Sequence, residues 1–318
     1  MAQAQPIVGV YLSDSLDLDA LYGDAIRAIA EDVILLHPAQ VERPEAVRFA
    51  ICWLPAADAF EPYPHLALAM SIGAGVDALM NHPGLDPAVR IARVRDPHQA
   101  DLMAGFAVHE ILHHEREFET LARQAHTANW HPLPMRAPAS RCVAVLGHGT
   151  MGRAVVQAVA ALGFTVRVAC SRPPAAPVAG VHYETGPTAI DAAASGADYL
   201  INVLPLTADT HDVLDGALFE RLAKGAWLIQ IGRGEHLVER DLLAALAEGT
   251  LAGASLDVFR EEPLPAAHPF WLDPRLRITP HIASDSLPQV VSEQVVETAR
   301  ALRDGGDMAL VVDRDRGY

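Results

Sequence analysis

Gly147-His148-Gly149-Thr150-Met151-Gly152 lies between the apolar run 142–146 and the largely apolar stretch 153–162. A G-x-G-x-x-G turn between a strand and a helix is suited to a pyrophosphate. The first glycine permits the tight turn, the second lets the backbone approach the anion, and the third lets helix and strand pack closely. The helix N-terminus adds N–H groups without helical partners and a partial positive charge. A carboxylate about 20 residues further on would bind a ribose 2′-hydroxyl. Ser171 and Arg172 stand there instead. A guanidinium can make two charge-assisted bonds to a phosphate. These residues therefore point to a 2′-phosphate, and to NADPH in preference to NADH, with NADH as the second option.

Three more segments carry chemistry. Arg233 lies in Gln230-Ile231-Gly232-Arg233-Gly234, carboxylates follow in Asp257-Val258-Phe259-Arg260-Glu261-Glu262, and His281 lies in Thr279-Pro280-His281. Each segment follows an apolar run that reads as a strand. In a doubly wound sheet, ligands bind outside the carboxyl ends of the strands. All three segments then face one crevice, together with the glycine turn. A different chemistry is written in His109-Glu110-Ile111-Leu112-His113. On a helix, an H-E-x-x-H pattern puts both histidines on one face, where they could hold zinc beside a glutamate base. That would be a metallopeptidase. No convincing third ligand accompanies it, and the expected site holds no metal.

The elements that must position these residues alternate. Strands are expected at 7–12, 33–36, 49–53, 66–72 and 91–94, with an amphipathic helix over 16–30. One long helix is expected over 98–128, joining two domains, followed by a segment rich in proline. The alternation restarts at Arg141, with strands at 142–146, 165–170, 199–203, 226–231, 253–257 and 277–279, and helices at 152–162, 217–223, 239–247 and 288–304. Strands alternating with helices mean parallel α/β sheets. The fold class expected is α/β, with two Rossmann-like or flavodoxin-like domains and a cleft between them. Residues 97–287 would form the dinucleotide-binding domain, and 1–96 with 288–318 a split substrate-binding domain.

Composition excludes several functions. Of 24 Lys+Arg, only Lys224 is a lysine, and it is followed by Gly225, so there is no P-loop and no candidate Schiff-base lysine. Any anion must be held by arginine or by backbone N–H groups. The net charge of −16, without a basic run, argues against nucleic acid and anionic membrane. No stretch of about 18 apolar residues would span a bilayer. Three scattered cysteines make no disulfide framework. The first six residues lack the features of a signal peptide, and a cytoplasmic location is expected.

Further motifs are Ser71-Ile72-Gly73-Ala74-Gly75-Val76-Asp77, Trp130-His131-Pro132-Leu133-Pro134, Asn202-Val203-Leu204-Pro205-Leu206-Thr207 and the closing Val312-Asp313-Arg314-Asp315-Arg316-Gly317-Tyr318. With these and the segments above, the sequence resembles the D-2-hydroxyacid dehydrogenase family from about residue 50 onward. It is most similar to the members that reduce glyoxylate and hydroxypyruvate. The resemblance implies an oxidoreductase acting on small 2-keto acids. Arg233 would hold the substrate carboxylate and polarise its carbonyl, His281 would donate the proton, and Glu262 would pair with His281. The backbone at Ala74 and Gly75 would take the substrate carboxylate, and Trp53 would wall the substrate pocket. Asp257 would face the nicotinamide carboxamide, while Leu204, Pro205, Ile231, Gly232 and Ser284 would line the cofactor beside Gly147, Gly149, Thr150, Met151 and Gly152. A homodimer is implied, with the Trp130 region near its interface. The sequence departs from the family at Gln230, where asparagine is usual, at Gly232, where alanine is frequent, and at Ser284, which replaces a small apolar residue. A second reading keeps the fold without the reaction, as an NAD(P)H-responsive binding protein.

Overall fold

Parallel strands covered on both faces must bury every side chain, so they read as unbroken apolar runs. Cys142-Val143-Ala144-Val145-Leu146 is of this kind, as is Ala226-Trp227-Leu228-Ile229 before the polar Gln230 that ends its strand. The computed structural model describes residues 5–314. The first four residues, and Asp315-Arg316-Gly317-Tyr318 of the closing motif, lie outside the described residues. The chain divides into two units, Met1–His98 with Asp285–Tyr318, and Gln99–Ser284.

The first unit contains β1 (Ile7–Ser13), α1 (Leu18–Ile29), β2 (Val33–Leu36), β3 (Val47–Trp53), β4 (Leu68–Ser71), the short α2 (Asp77–Met80) and β5 (Arg90–Arg93). Its sheet is parallel throughout, in the order β2-β1-β3-β4-β5. That is the flavodoxin-like order.

The second unit takes in most of α3 (Pro97–Glu115), then α4 (Phe118–His126), β6 (Cys142–Leu146), α5 (Thr150–Ala161), β7 (Thr165–Ala169), β8 (Val181–Glu184) and α6 (Ala189–Ala194). After these come β9 (Tyr199–Asn202), α7 (Gly216–Phe219), β10 (Ala226–Gln230), α8 (Glu239–Glu248), β11 (Leu251–Leu256) and β12 (Leu276–Ile278). The seven strands are parallel, in the order β12-β11-β10-β9-β6-β7-β8. Strand order reverses between β6 and β9, which is where such sheets bind dinucleotides. Successive strand residues point to opposite faces. Accordingly Val143, Val145, Ile201 and Ile229 join one core cluster, while Ala144, Leu146, Leu200 and Leu228 join the other.

The chain then returns to the first unit as α9 (Pro288–Asp304), whose Val291, Val295, Val296 and Ala299 share a core with Leu18, Tyr22 and Ile26 of α1. The tail follows it to the sheet edge, where Val311 bridges Ala92 and the Val312 N–H donates to the Ile91 carbonyl at 2.9 Å.

Several expectations are corrected. The helix over 98–128 is two helices, broken where Glu117 takes a left-handed conformation at φ 48. The last residue of α3 is anchored within the second unit, where the Glu115 carboxylate accepts from the Tyr199 hydroxyl at 2.7 Å and from Arg141 Nε at 3.1 Å. The division into compact units falls at 98/99 and 284/285, beside the expected 96/97 and 287/288. Ser286 and Leu287 bond to Ile72 and Asp96 of the first unit, whereas the Ser284 hydroxyl bonds to Gln99 of the second. The helix expected over 217–223 is the single turn Gly216–Phe219, while β8 and α6 were not anticipated. The alanine-rich α6 has too weak an apolar period to stand out.

Candidate active site

The glycine turn leaves the end of β6. Gly147 has φ +103, a conformation side chains rarely adopt. At Gly152 a Cβ would stand 2.1 Å from the Gly147 carbonyl oxygen, so only glycine permits the close packing of turn and helix. Gly149 caps α5 with no side-chain hydrogen bond, and nothing lies within 4 Å of where its Cβ would be. The first N–H groups of the helix therefore meet an open approach, which suits a phosphate. Ser171 and Arg172 follow β7 and are exposed. Val203 and Leu204, just past β9, have backbone atoms 3.0 to 3.3 Å from the position of a Cβ on Gly147. Thr150, Met151, Leu204 and Pro205 therefore lie on segments bordering the turn. These residues fit a dinucleotide carrying a 2′-phosphate: open backbone for the pyrophosphate, and a cation and a hydroxyl at the second strand end.

The catalytic candidates follow the ends of three neighbouring strands, β10, β11 and β12. His281 has φ 54, unusual for a residue with a side chain, and Asp257 holds the loop in that shape. Asp257 is 1% exposed. Its backbone carbonyl accepts from the His281 N–H at 2.9 Å. One carboxylate oxygen accepts from Thr279 Oγ1 at 2.5 Å and from the Ile282 N–H at 2.9 Å, and the other accepts from the Ala283 N–H at 2.8 Å.

His281 Nδ1 lies 2.8 Å from Glu262 Oε2, and Glu262 Oε1 accepts from the Phe259 N–H at 2.9 Å. Burial alone would raise the Glu262 pKa. The His281 hydrogen bond and charge, the Phe259 N–H and the positive charge of Arg233 outweigh it and hold the carboxyl below its ordinary value. An ionised Glu262 can only accept, so Nδ1 carries a hydrogen and Nε2 is the nitrogen left for a substrate. Glu262, and not Glu261, is thus the partner of His281. The influence of Arg233 on Glu262 puts the guanidinium within electrostatic reach of this pair.

The Arg233 turn is itself tightly held. Gln230 Nε2 donates to the Arg233 carbonyl at 2.8 Å, and the Arg233 N–H donates to His236 Nδ1 at 3.1 Å. Ile231 and Gly232 are buried beneath it. Asn202 and His236 have no role assigned from sequence, and Gln230 enters there only as a departure from the family. Their signal was polar side chains at or just past the ends of otherwise apolar strands. The Ser284 hydroxyl donates to the Gln99 carbonyl at 2.9 Å, so its polar contact is to the scaffold.

In the first unit, Trp53 ends β3, and its ring lies 3.2 Å from where a Cβ on Gly73 would stand. The loop after β4 is tied down through its carbonyls. Ser71 Oγ donates to Gly75 at 2.7 Å and Arg93 Nη1 to Ala74 at 3.1 Å.

The H-E-x-x-H segment lies on α3 and has a structural use. Glu110 is 2% exposed and accepts from Arg277 Nε at 2.7 Å and Ser255 Oγ at 2.5 Å. His113 Nε2 lies 3.1 Å from Arg277 Nη1. Among the described residues, no group of three His, Cys, Asp or Glu side chains could hold a metal. Burial raises the Glu110 pKa, but Arg277 and Ser255 lower it further, for a net shift below the ordinary value. A lowered folded value means that the pair stabilises the protein above the ordinary carboxylate range, and that this stability is lost as pH falls through the depressed value. Glu110→Ala is expected to cost about 3 kcal/mol, the scale for stripping one partner from a buried pair. Denaturant melts check this. A chelator should leave the melt of the intact protein unchanged, and stoichiometric zinc with a chelator-sensitive melt would restore the metal reading.

Residues 108–283 match the family model for the D-isomer specific 2-hydroxyacid dehydrogenase NAD binding domain. A glyoxylate/hydroxypyruvate reductase A from Yersinia enterocolitica is 39% identical over 275 residues, 85% of this chain and 87% of the relative. A D-isomer specific 2-hydroxyacid dehydrogenase from Xanthobacter autotrophicus, crystallised with NADPH and MES, is 33% identical. It aligns at a TM-score of 0.86 over 99% of this chain and 100% of its own. The NADPH-dependent glyoxylate/hydroxypyruvate reductase of Sinorhizobium meliloti, in complex with NADP and sulfate, is 29% identical. It aligns at 0.87 over the same shares of the two chains. The family match spans both the glycine turn and the strand ends that carry Arg233, Glu262 and His281, and the chain belongs to the D-isomer specific 2-hydroxyacid dehydrogenase family.

Proposed function

We propose that the protein reduces small 2-keto acids to 2-hydroxy acids with NADPH, glyoxylate and hydroxypyruvate first among them. The observation that carries this reading is the His281–Glu262 pair at 2.8 Å within the field of Arg233. The Yersinia relative bears the name of that activity, and the two crystallised relatives hold NADPH or NADP.

The amides of Gly147 to Gly152 would hold the pyrophosphate, Ser171 and Arg172 the 2′-phosphate, and Leu204, Pro205, Ile231, Gly232 and Asp257 the nicotinamide end. When bound, the nicotinamide supplies the hydride, and the protein supplies orientation and electrostatics. Arg233 binds the keto-acid carboxylate and stabilises negative charge on the carbonyl oxygen. His281 gives that oxygen its proton from Nε2, and Glu262 holds the ring in orientation through Nδ1. Roles at the substrate carboxylate for the Ala74–Gly75 backbone, and in the substrate pocket for Trp53, belong to the same proposal.

A homodimer is part of it too. Trp130 is 99% and Met135 73% exposed, more apolar surface than a short segment normally leaves to water. A cytoplasmic location is likewise proposed. Among the described residues no helix is long and apolar enough to cross a membrane.

The test is a panel of 2-keto acids assayed with NADPH and NADH in parallel. Wild-type protein should turn over glyoxylate and hydroxypyruvate faster with NADPH. Arg172→Ala should weaken NADPH use by about tenfold to a hundredfold, the worth of charge-assisted bonds to one phosphate, and leave NADH use nearly unchanged. Equal losses with both cofactors would remove Arg172 from the 2′-phosphate site. Tight NADPH binding without turnover of any keto acid would favour the binding-protein reading.

A further inference from the structure

His236 is a fully buried histidine one helical turn past Arg233, and both ring nitrogens are engaged. Nδ1 lies 3.1 Å from the Arg233 backbone nitrogen and 2.9 Å from Asn202 Nδ2. Both neighbours are donors, so Nδ1 accepts, and the ring hydrogen of the neutral imidazole must sit on Nε2. Nε2 lies 3.3 Å from the Pro205 carbonyl, to which it donates. The other Asn202 Nδ2 hydrogen goes to Gln230 Oε1 at 2.8 Å, and Gln230 Nε2 returns to the Arg233 carbonyl at 2.8 Å. The network leaves no spare room. A Cβ on Gly232 would come within 2.8 Å of Asn202 Nδ2 and 2.9 Å of His236 Nδ1.

We infer that His236 is a positioning residue that joins the two halves of the reaction: its Nδ1 sets the Arg233 turn for the keto acid, and its Nε2 sets the Leu204–Pro205 segment for the cofactor. The assignment rests on the roles proposed above for Arg233 and Pro205. A neutral ring of fixed tautomer suits this task, because it adds no charge beside Arg233 and His281. A second proton on Nδ1 would face two donors, so the surroundings hold the ring to one form.

The two nitrogens can be tested separately, because asparagine offers a polar atom near the Nδ1 position and glutamine one near Nε2. Two quantities are measured: kcat/KM for glyoxylate at saturating NADPH, and the NADPH Kd by fluorescence without keto acid. His236→Asn should keep kcat/KM within about threefold of wild type and weaken NADPH binding about fivefold to tenfold, the scale of one buried hydrogen bond. His236→Gln should do the reverse, with kcat/KM down about tenfold or more and NADPH Kd nearly unchanged. His236→Ala should lose both. Equal losses in the two amide variants, or equal retention, would overturn the assignment. So would failure of both to fold, which would make the ring a packing residue. If wild-type protein turns over no keto acid, it is the reductase reading that fails. The NADPH Kd values of the Asn and Gln variants then still decide the Nε2 role, and equal values overturn the inference.

Discussion

Arg233→Ala should lower kcat/KM for glyoxylate by roughly a thousandfold to ten-thousandfold. Two losses combine. A charge-assisted bond to the substrate carboxylate is worth about 1.5–3 kcal/mol, and a preorganised donor at the developing oxygen charge about 2.7–4 kcal/mol. The two effects share one side chain and will not add fully. Arg233→Lys should recover only part of the rate, because an ammonium keeps the charge but lacks the planar fork that can address two acceptors at once. The NADPH Kd should move little in either variant, since the backbone contacts of Arg233 to Gln230 and His236 do not need its side chain. Steady-state kinetics together with cofactor titration check both statements. A near-wild-type rate in Arg233→Ala would remove the arginine from the chemistry.

His281→Ala should slow reduction by about a hundredfold to ten-thousandfold, the range for losing a positioned general acid. The pH dependence is the more specific test. Reduction consumes a proton, which His281 must carry to the carbonyl oxygen, and the charge of Glu262 beside it is the part of the pair whose titration can be followed. Glu262 is a carboxylate held below its ordinary pKa: burial works against ionisation, and the His281 bond and charge, the Phe259 N–H and the Arg233 charge prevail. It therefore stays negative down to acid pH, and the charged pair is lost only as pH falls through that depressed value. Glu262→Gln keeps a hydrogen-bond acceptor but removes the negative charge that favours imidazolium. The variant should reduce glyoxylate more slowly, and the loss of rate that wild-type protein shows as pH falls through the depressed Glu262 value should be absent from it. An acid limb that survives in Glu262→Gln would break the proposed pairing, and the effect is read from kcat/KM across pH for both proteins.

Much of this site was legible because its signals are local. The glycine turn is written in six consecutive residues, and its need for glycine is met within the same few residues, at Gly147 and Gly152. Apolar runs followed by Arg233, Glu262 and His281 place these side chains past strand ends, since strand direction and the binding end of a parallel sheet are general properties. Helix 98–128 was misread for the opposite reason. It breaks at Glu117, beside Glu115, whose carboxylate is held by Arg141 and Tyr199, residues 26 and 84 positions away that no local pattern reveals. The H-E-x-x-H pattern is truly helical, yet its glutamate is taken by Arg277, 167 positions further on.

The sequence by itself determined the two α/β units, the dinucleotide turn, the arginine–serine pair at the second strand end and the three residue types proposed for catalysis. Period, turn chemistry and strand-end position act over a few residues and need no knowledge of what lies opposite. Only the tertiary structure decided which groups are used up in holding others. It put both Asp257 oxygens on the His281 loop, chose Glu262 over Glu261 and spent Glu110 on an ion pair. It also gathered Asn202, Gln230 and His236 behind Arg233. Each outcome depends on which donors and acceptors meet once burial has removed water, and a buried polar group must bond to whatever the fold brings to it.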